Sequence, residues 1–261
     1  MFYANGPHTY IKDSTQKRFT HHFNIYSESS NYFLNFELGP GKRIQAAPSV
    51  GSPNVNVTSF NEFQFYEKDS VNLGKFGKRW WGDEFNDVPG RYLNRTFSFT
   101  LPDLEPSEPV YVRTVTGAVS NSGYSGMSVK ANGQLIQTLQ YKPFDNVEDY
   151  AKPTVIVNDV TTPVLSVSSP LALNFNFTKG SSPAYGNLDF IEINARRKLT
   201  MNGNLIFSDW NSVGPGNIAA YQIQNANAQT QIWDVSDPIQ PLRMPSSLSG
   251  SSVSFSQSAD Y

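Results

Sequence analysis

The chain has 261 residues, 38% of them hydrophobic, with 18 Phe, 13 Tyr, 4 Trp and a formal net charge of −2. That is enough for one large or two moderate domains, and no basic field exists to attract a phosphate backbone, which disfavours nucleic acid as a partner. Cysteine is absent, which rules out disulfides, thiolate metal sites and a cysteine nucleophile within this chain.

The apolar content is concentrated in aromatics, which suit pleated, half-buried surfaces. The 18 Gly and 17 Pro punctuate the chain at short intervals, as turns between many short strands do. No stretch reaches the ~18 consecutive apolar residues of a membrane helix. Met1 to Gly6 has neither the charged nor the apolar region of a signal peptide. If the protein is exported, its signal is expected upstream of Met1, and both ends read as cut.

In chain order, residues 19–38 read as a hairpin. Phe19 to Tyr26 alternates, Ser27 to Asn31 is turn chemistry, and Tyr32 to Leu38 alternates again. Residues 45–58 read as a loop or irregular edge, and Phe60 to Tyr66 as a strand. Residues 67–90, with mixed charge and two adjacent tryptophans, are the least strand-like. Strands are expected at Thr96–Leu101, Val110–Gly117, Met127–Lys130, Gln134–Leu139, Thr154–Val157 and Leu171–Phe177, with Asn132-Gly133 as a two-residue hairpin turn. Phe144 to Ala151 is the one helix candidate, and it is turn-sized. The last strand of this set is Leu188 to Ile193, after which Arg196-Arg197-Lys198 is too polar to continue as core. Further hairpins follow, Lys198–Met201 with Leu205–Phe207 around Asn202-Gly203, then Tyr221–Gln224 and Gln231–Val235.

This predicts an all-β chain in three stretches. Residues 1–85 form an N-terminal β unit. Residues 86–199, with about seven or eight antiparallel strands, form a jelly-roll β-sandwich. Residues 200–261 are hairpins that pair with the N-terminal unit, so that the sandwich is inserted between two halves of a second β-rich unit.

Few residues carry chemistry. His21 and His22 are adjacent in a strand and point to opposite faces, so they do not share a metal, and His8 stands alone. No Gly-x-Ser-x-Gly elbow, His-Glu-x-x-His pair or phosphate loop occurs, so no catalytic residue is assigned. Asp83, Glu84, Glu148, Asp149 and Asp159 are the loop carboxylates open either to solvent or to a structural Ca²⁺. Arg79-Trp80-Trp81 reads either as an exposed aromatic platform or as a seam with one indole buried, since adjacent residues of an extended segment point opposite ways. Arg196-Arg197-Lys198 reads either as a solvated edge that blocks strand aggregation or as a docking surface.

Several runs together carry a resemblance: Tyr32-Phe33-Leu34, Glu67 to Leu73, Gly77 to Phe85, Leu188 to Leu199 and Gln231-Ile232-Trp233-Asp234-Val235-Ser236-Asp237-Pro238. They are similar to the N-terminal, non-catalytic region of the PorU family, the gingipain-type cysteine peptidases that act as sortases of type IX secretion in Bacteroidetes. The resemblance implies a peptidase domain following this region in the same protein. It also implies a place at the outer face of the outer membrane, and contacts with secretion components and with the C-terminal signal of secreted cargo. No catalytic residue carries over, because the chain has no Cys. A non-catalytic docking region is then the first functional expectation, and a jelly-roll carbohydrate-binding module of a surface protein the alternative.

Overall fold

Successive side chains of a strand point to opposite faces, so an alternating segment buries one row and exposes the other. That period recurs through most of the chain. In the computed structural model, which describes all residues except 1–3, 5, 8, 23, 25, 34, 36, 37, 74–78, 144–154 and 261, it yields strands and, among the described residues, no helix. The strands are β1 (Thr9–Asp13), β2 (Arg18–His22), β3 (Gln45–Ala46), β4 (Val55–Val57), β5 (Ser59–Glu67), β6 (Glu84–Phe85), β7 (Asn94–Phe99), β8 (Val110–Ser120) and β9 (Ser125–Ala131). They continue with β10 (Gln134–Tyr141), β11 (Ile156–Val164), β12 (Leu171–Thr178), β13 (Ala184–Lys198), β14 (Ile218–Ile223), β15 (Trp233–Asp234), β16 (Leu242–Arg243), β17 (Ser246–Ser249) and β18 (Ser252–Ser258). The chain is all-β, as its composition implies. It divides into two units, one of residues 62–197 and one of residues 1–61 with 198–261.

The 62–197 unit is a sandwich of two sheets, ordered β10-β9-β12-β7 and β11-β8-β13-β5, with β6 also paired to β13. On β12, Leu171, Leu173, Phe175 and Phe177 point into the core while Asn174, Asn176 and Thr178 point out. They meet Leu188, Ile191, Ile193 and Ala195 of β13. The sequence breaks alternation at the apolar pair Phe190-Ile191, and the structure resolves it with a bulge. Leu188 faces Thr116 and Phe190 faces Val115, so Asp189 is the extra residue and Ile191 returns to the core. Two pairs of buried polar groups meet across the sandwich. The Thr116 hydroxyl lies 2.7 Å from the Tyr141 hydroxyl, and that of Thr114 donates to Gln137 Oε1 at 2.7 Å. Asn132 (φ 46°) and Gly133 (φ 89°) make the tight turn between β9 and β10, both in the left-handed region that such a turn demands.

The other unit holds the sheets β17-β18-β14-β4, β15-β16-β3 and β1-β2. Its N- and C-terminal stretches meet through two parallel pairs, β4 with β14 and β3 with β16. Phe60, Leu199, Ala219, Ile223 and Val253 fill its core, and Tyr221 stacks on Phe255 at 4.8 Å.

Three sequence expectations change. Phe19 does not begin a hairpin that returns through Tyr32 to Leu38; β2 pairs backward with β1, and Tyr32, Phe33, Asn35 and Leu38 lie in no strand. The reason is local. Asp13 Oδ1 accepts the N–H groups of Thr15 (3.0 Å) and Gln16 (2.9 Å), which closes a tighter turn than Ser27 to Asn31 offers. Asn202-Gly203 is a bend but not a hairpin. The backbone of Leu199 and Met201 is already engaged by Thr58 and Gln224, so tertiary pairing overrides the local turn. Finally, β13 does not end at Ile193 but runs through the cations to Lys198. The helix candidate Phe144 to Ala151 lies outside the described residues.

The core of the sandwich sets the first testable outcome. Phe175 is fully buried, with Phe97 edge-on at 5.5 Å and Phe85 at 6.1 Å. Phe175→Ala should cost about 3–5 kcal/mol in a urea titration followed by a probe in the sandwich. A loss below about 1 kcal/mol would show that the two sheets do not depend on this packing.

Candidate functional site

The outer face of the β11-β8-β13 part of the sandwich carries a charged group. Arg113 of β8 sits opposite Glu192 of β13. Its Nη1 donates to Glu192 Oε2 at 2.9 Å, while Nε and Nη2 donate to Asp159 of β11 at 2.8 and 2.7 Å. The guanidinium also lies 5.1 Å over the Phe190 ring. Asp159, held by the Arg113 hydrogen bonds, has its carboxyl below the usual carboxylate range, and Arg113 is raised in turn. Three neighbouring strands are thus tied by one planar, five-donor side chain.

Toward the other end of β13, the segment after β5 folds back over the sheet. Val71 and Trp81 bond each other's backbone, Gly82 N–H donates to the Leu188 carbonyl (2.8 Å), and Leu188 N–H donates to Asp83 O (2.9 Å). A Cβ on Gly82 would stand 2.5 Å from the Lys68 carbonyl oxygen and 3.3 Å from that of Leu188, so only glycine fits this close approach. Trp81 is 3% exposed, and its indole covers Gly117 of β8, where any side chain would collide with the ring. Trp80 is 38% exposed. Arg79 lies 5.8 Å over the Trp81 ring and 3.5 Å from Asp189.

The remaining candidates of the sequence fall as follows. Arg197 is buried, with Nη1 on Glu62 Oε2 and Nε on the Pro102 carbonyl. Arg196 is half-buried, and its carbonyl accepts the Glu105 N–H at 2.9 Å. Arg79, Trp81 and Asp189 are therefore close together, while Arg197 belongs with Glu62 at the other end of β13. Among the loop acids, Asp83 is buried and accepts from the Tyr66 hydroxyl at 2.5 Å and from Arg95 Nη1 at 2.8 Å. Glu84 lies 3.7 Å from Arg91 and accepts from Asn86. Asp159 is paired with Arg113, and Glu148 and Asp149 lie outside the described residues. Burial and the Asp83 hydrogen bond push the Tyr66 phenol up to about 12.

Sequence reading missed the trio Glu67, Asp69 and Asp189, each of which offers a carboxylate oxygen within 4.8 Å of the others. Glu67 and Asp69 are two apart, but nothing in the sequence joins them to Asp189. The bulge that aims Asp189 outward is visible only once the register is known.

The fold and this face define a β-sandwich module joined to a second β unit. A scan against family models finds no match, and neither does a sequence comparison with curated proteins. Among solved structures, dimeric latent PorU from Porphyromonas gingivalis matches over 98% of this chain with a TM-score of 0.79 at 20% identity. The chain spans 24% of that PorU chain, and the likeness establishes its fold as that of a PorU region. Two carbohydrate-binding modules also match in part. CBM36 in complex with calcium and xylotriose matches over 52% of this chain and 99% of its own, at TM-score 0.30 and 12% identity. The CBM36-1 domain of a xylanase from the hindgut metagenome of Trinervitermes trinervoides matches over 56% and 99%, at TM-score 0.31 and 12% identity. Among the described residues no helix is long and apolar enough to cross a membrane.

Two outcomes follow from this geometry. Trp81→Ala should cost about 3–5 kcal/mol and lower the thermal midpoint markedly, whereas Trp80→Ala should melt close to the parent. The reverse ranking would mean that Trp80 carries the packing. For Tyr66, a folded-state pKa of about 12 against an ordinary 10.0 means the protonated phenol's contribution is complete below pH 10 and lost as the pH climbs through 12. Stability should therefore fall less steeply over that window in Tyr66→Phe than in the parent. Equal slopes would show that the phenol titrates normally.

Proposed function

We propose that this chain is the non-catalytic docking region of a larger type IX secretion protein. It packs against a gingipain-type cysteine peptidase domain of the same polypeptide at the outer face of the outer membrane. The observation that carries this reading is the match along 98% of the chain to a PorU structure of which it spans 24%. The chain supplies no thiolate nucleophile, since its sequence has no Cys, so cysteine-peptidase chemistry comes from outside it. Its contribution is to position: it presents a surface to the peptidase domain, to outer-membrane secretion components and to the C-terminal signal of cargo.

The test adds the chain to a separately expressed peptidase domain of a PorU-like protein and follows association by sedimentation. A complex is expected, together with no cleavage of a peptide bearing a type IX C-terminal signal when the chain is alone. Retardation by a polysaccharide in affinity gels, without association with the peptidase domain, would replace docking by glycan binding. Cleavage by the purified chain would overturn its non-catalytic role.

A further inference from the structure

Asparagine is followed by glycine at Asn5-Gly6, Asn132-Gly133 and Asn202-Gly203. Such a pair rearranges without a catalyst. The main-chain nitrogen of the glycine attacks the carbonyl carbon of the asparagine side chain, and the bond from that carbon to its NH₂ breaks. A five-membered succinimide forms, and the glycine N–H proton leaves with the NH₂ as ammonia. Water then opens the ring at either carbonyl. One product is aspartate. The other is isoaspartate, in which the main chain runs through the side-chain carbon. One water is consumed, one ammonia is released, and nothing is oxidised or reduced. Glycine favours the attack because no side chain shields its nitrogen.

The fold treats the two described pairs differently; Asn5 lies outside the described residues. Asn132 and Asn202 are both exposed, so access to solvent does not separate them. The Asn132 amide is pinned. Its Nδ2 donates to the Ser168 carbonyl at 2.9 Å and to Ser168 Oγ at 2.7 Å, and its Oδ1 accepts the Ala172 N–H at 2.7 Å. At Asn202, among the described residues, no hydrogen bond holds the side chain or the Gly203 N–H. Gly203 has φ 81°, and apart from its chain neighbours no atom lies within 4 Å of where a Cβ would stand. The residue before the pair is fixed. Met201 N–H donates to the Gln224 carbonyl at 2.9 Å, and the Met201 carbonyl accepts from Asn225 Nδ2 at 2.8 Å. The pair therefore starts from an anchored residue and runs into an open, exposed bend.

We propose that Asn202-Gly203 is a site of spontaneous deamidation, at which the folded chain converts to isoaspartate and aspartate through a succinimide, while Asn132-Gly133 is protected by its hydrogen bonds. The conversion places a carboxylate where a neutral amide stood. Isoaspartate also adds one main-chain atom after Met201. The open bend at Gly203 and Asn204 takes it up, so Leu199 keeps its place in the core.

The test ages the whole folded chain at neutral pH and follows each pair by peptide mapping, with electron-transfer fragmentation to separate isoaspartate from aspartate. Asn202 should convert at least about tenfold faster than Asn132, because the Asn132 amide must first give up three hydrogen bonds. In denaturant those bonds are gone, and the two rates should converge. Equal rates in the folded chain would overturn the proposal. So would an intact Asn202 in folded chain aged for as long as the denatured chain needs to convert, or a gap of the same size that persists in denaturant.

Discussion

The 62–197 unit depends on one strand. β13 pairs with β8 along most of its length and carries β6 on its other side, and it sits next to β5 in the sheet order. Fifteen residues long and mostly buried, it nonetheless carries Asp189, Glu192 and Arg197 at buried positions. A strand with that composition folds inward only if each charge meets an opposite charge, because an uncompensated buried charge costs several kcal/mol. Arg113 answers Glu192, Glu62 answers Arg197, and Arg79 reaches Asp189. Such pairs add little net stability over an apolar replacement. Their effect is on register, since a slip by one residue would turn every side chain of β13 to the wrong face.

The bulge at Asp189 follows from the same constraint. Without an extra residue, Ile191 and Ile193 would fall out of step with Leu188, and the core would lose two side chains. With it, the apolar row is continuous, and the surplus residue is a carboxylate aimed outward. Gly82 and Gly117 complete the arrangement: one admits the Lys68 backbone, the other the Trp81 indole. Packing and site are therefore one structure, and the segment that seals the outer face also brings the acidic residues together.

Much of the fold was legible in sequence. The β9–β10 turn is written in Asn132-Gly133, and β12 in its strict alternation, because both depend on a few adjacent residues. The N-terminal hairpin was misplaced because two turns competed and the Asp13 side chain closed the shorter one. Arg197 looked like a surface charge because its partner, Glu62, is remote in the chain. The split character of the tryptophan pair could be read from strand geometry, but which indole is buried depends on the empty space over Gly117. The Glu67, Asp69 and Asp189 group was invisible for the same reason as Glu62: it exists only once β5 and β13 are side by side.

Hydrogen exchange under native conditions probes the role of β13 most directly. If this strand organises the 62–197 unit, the amides of Leu188 and of Ile191 to Asn194 exchange only through global opening of that unit, and they form its slowest class. Exchange of these amides through a local opening, as fast as that of the exposed β17 strand Ser246–Ser249, would contradict it.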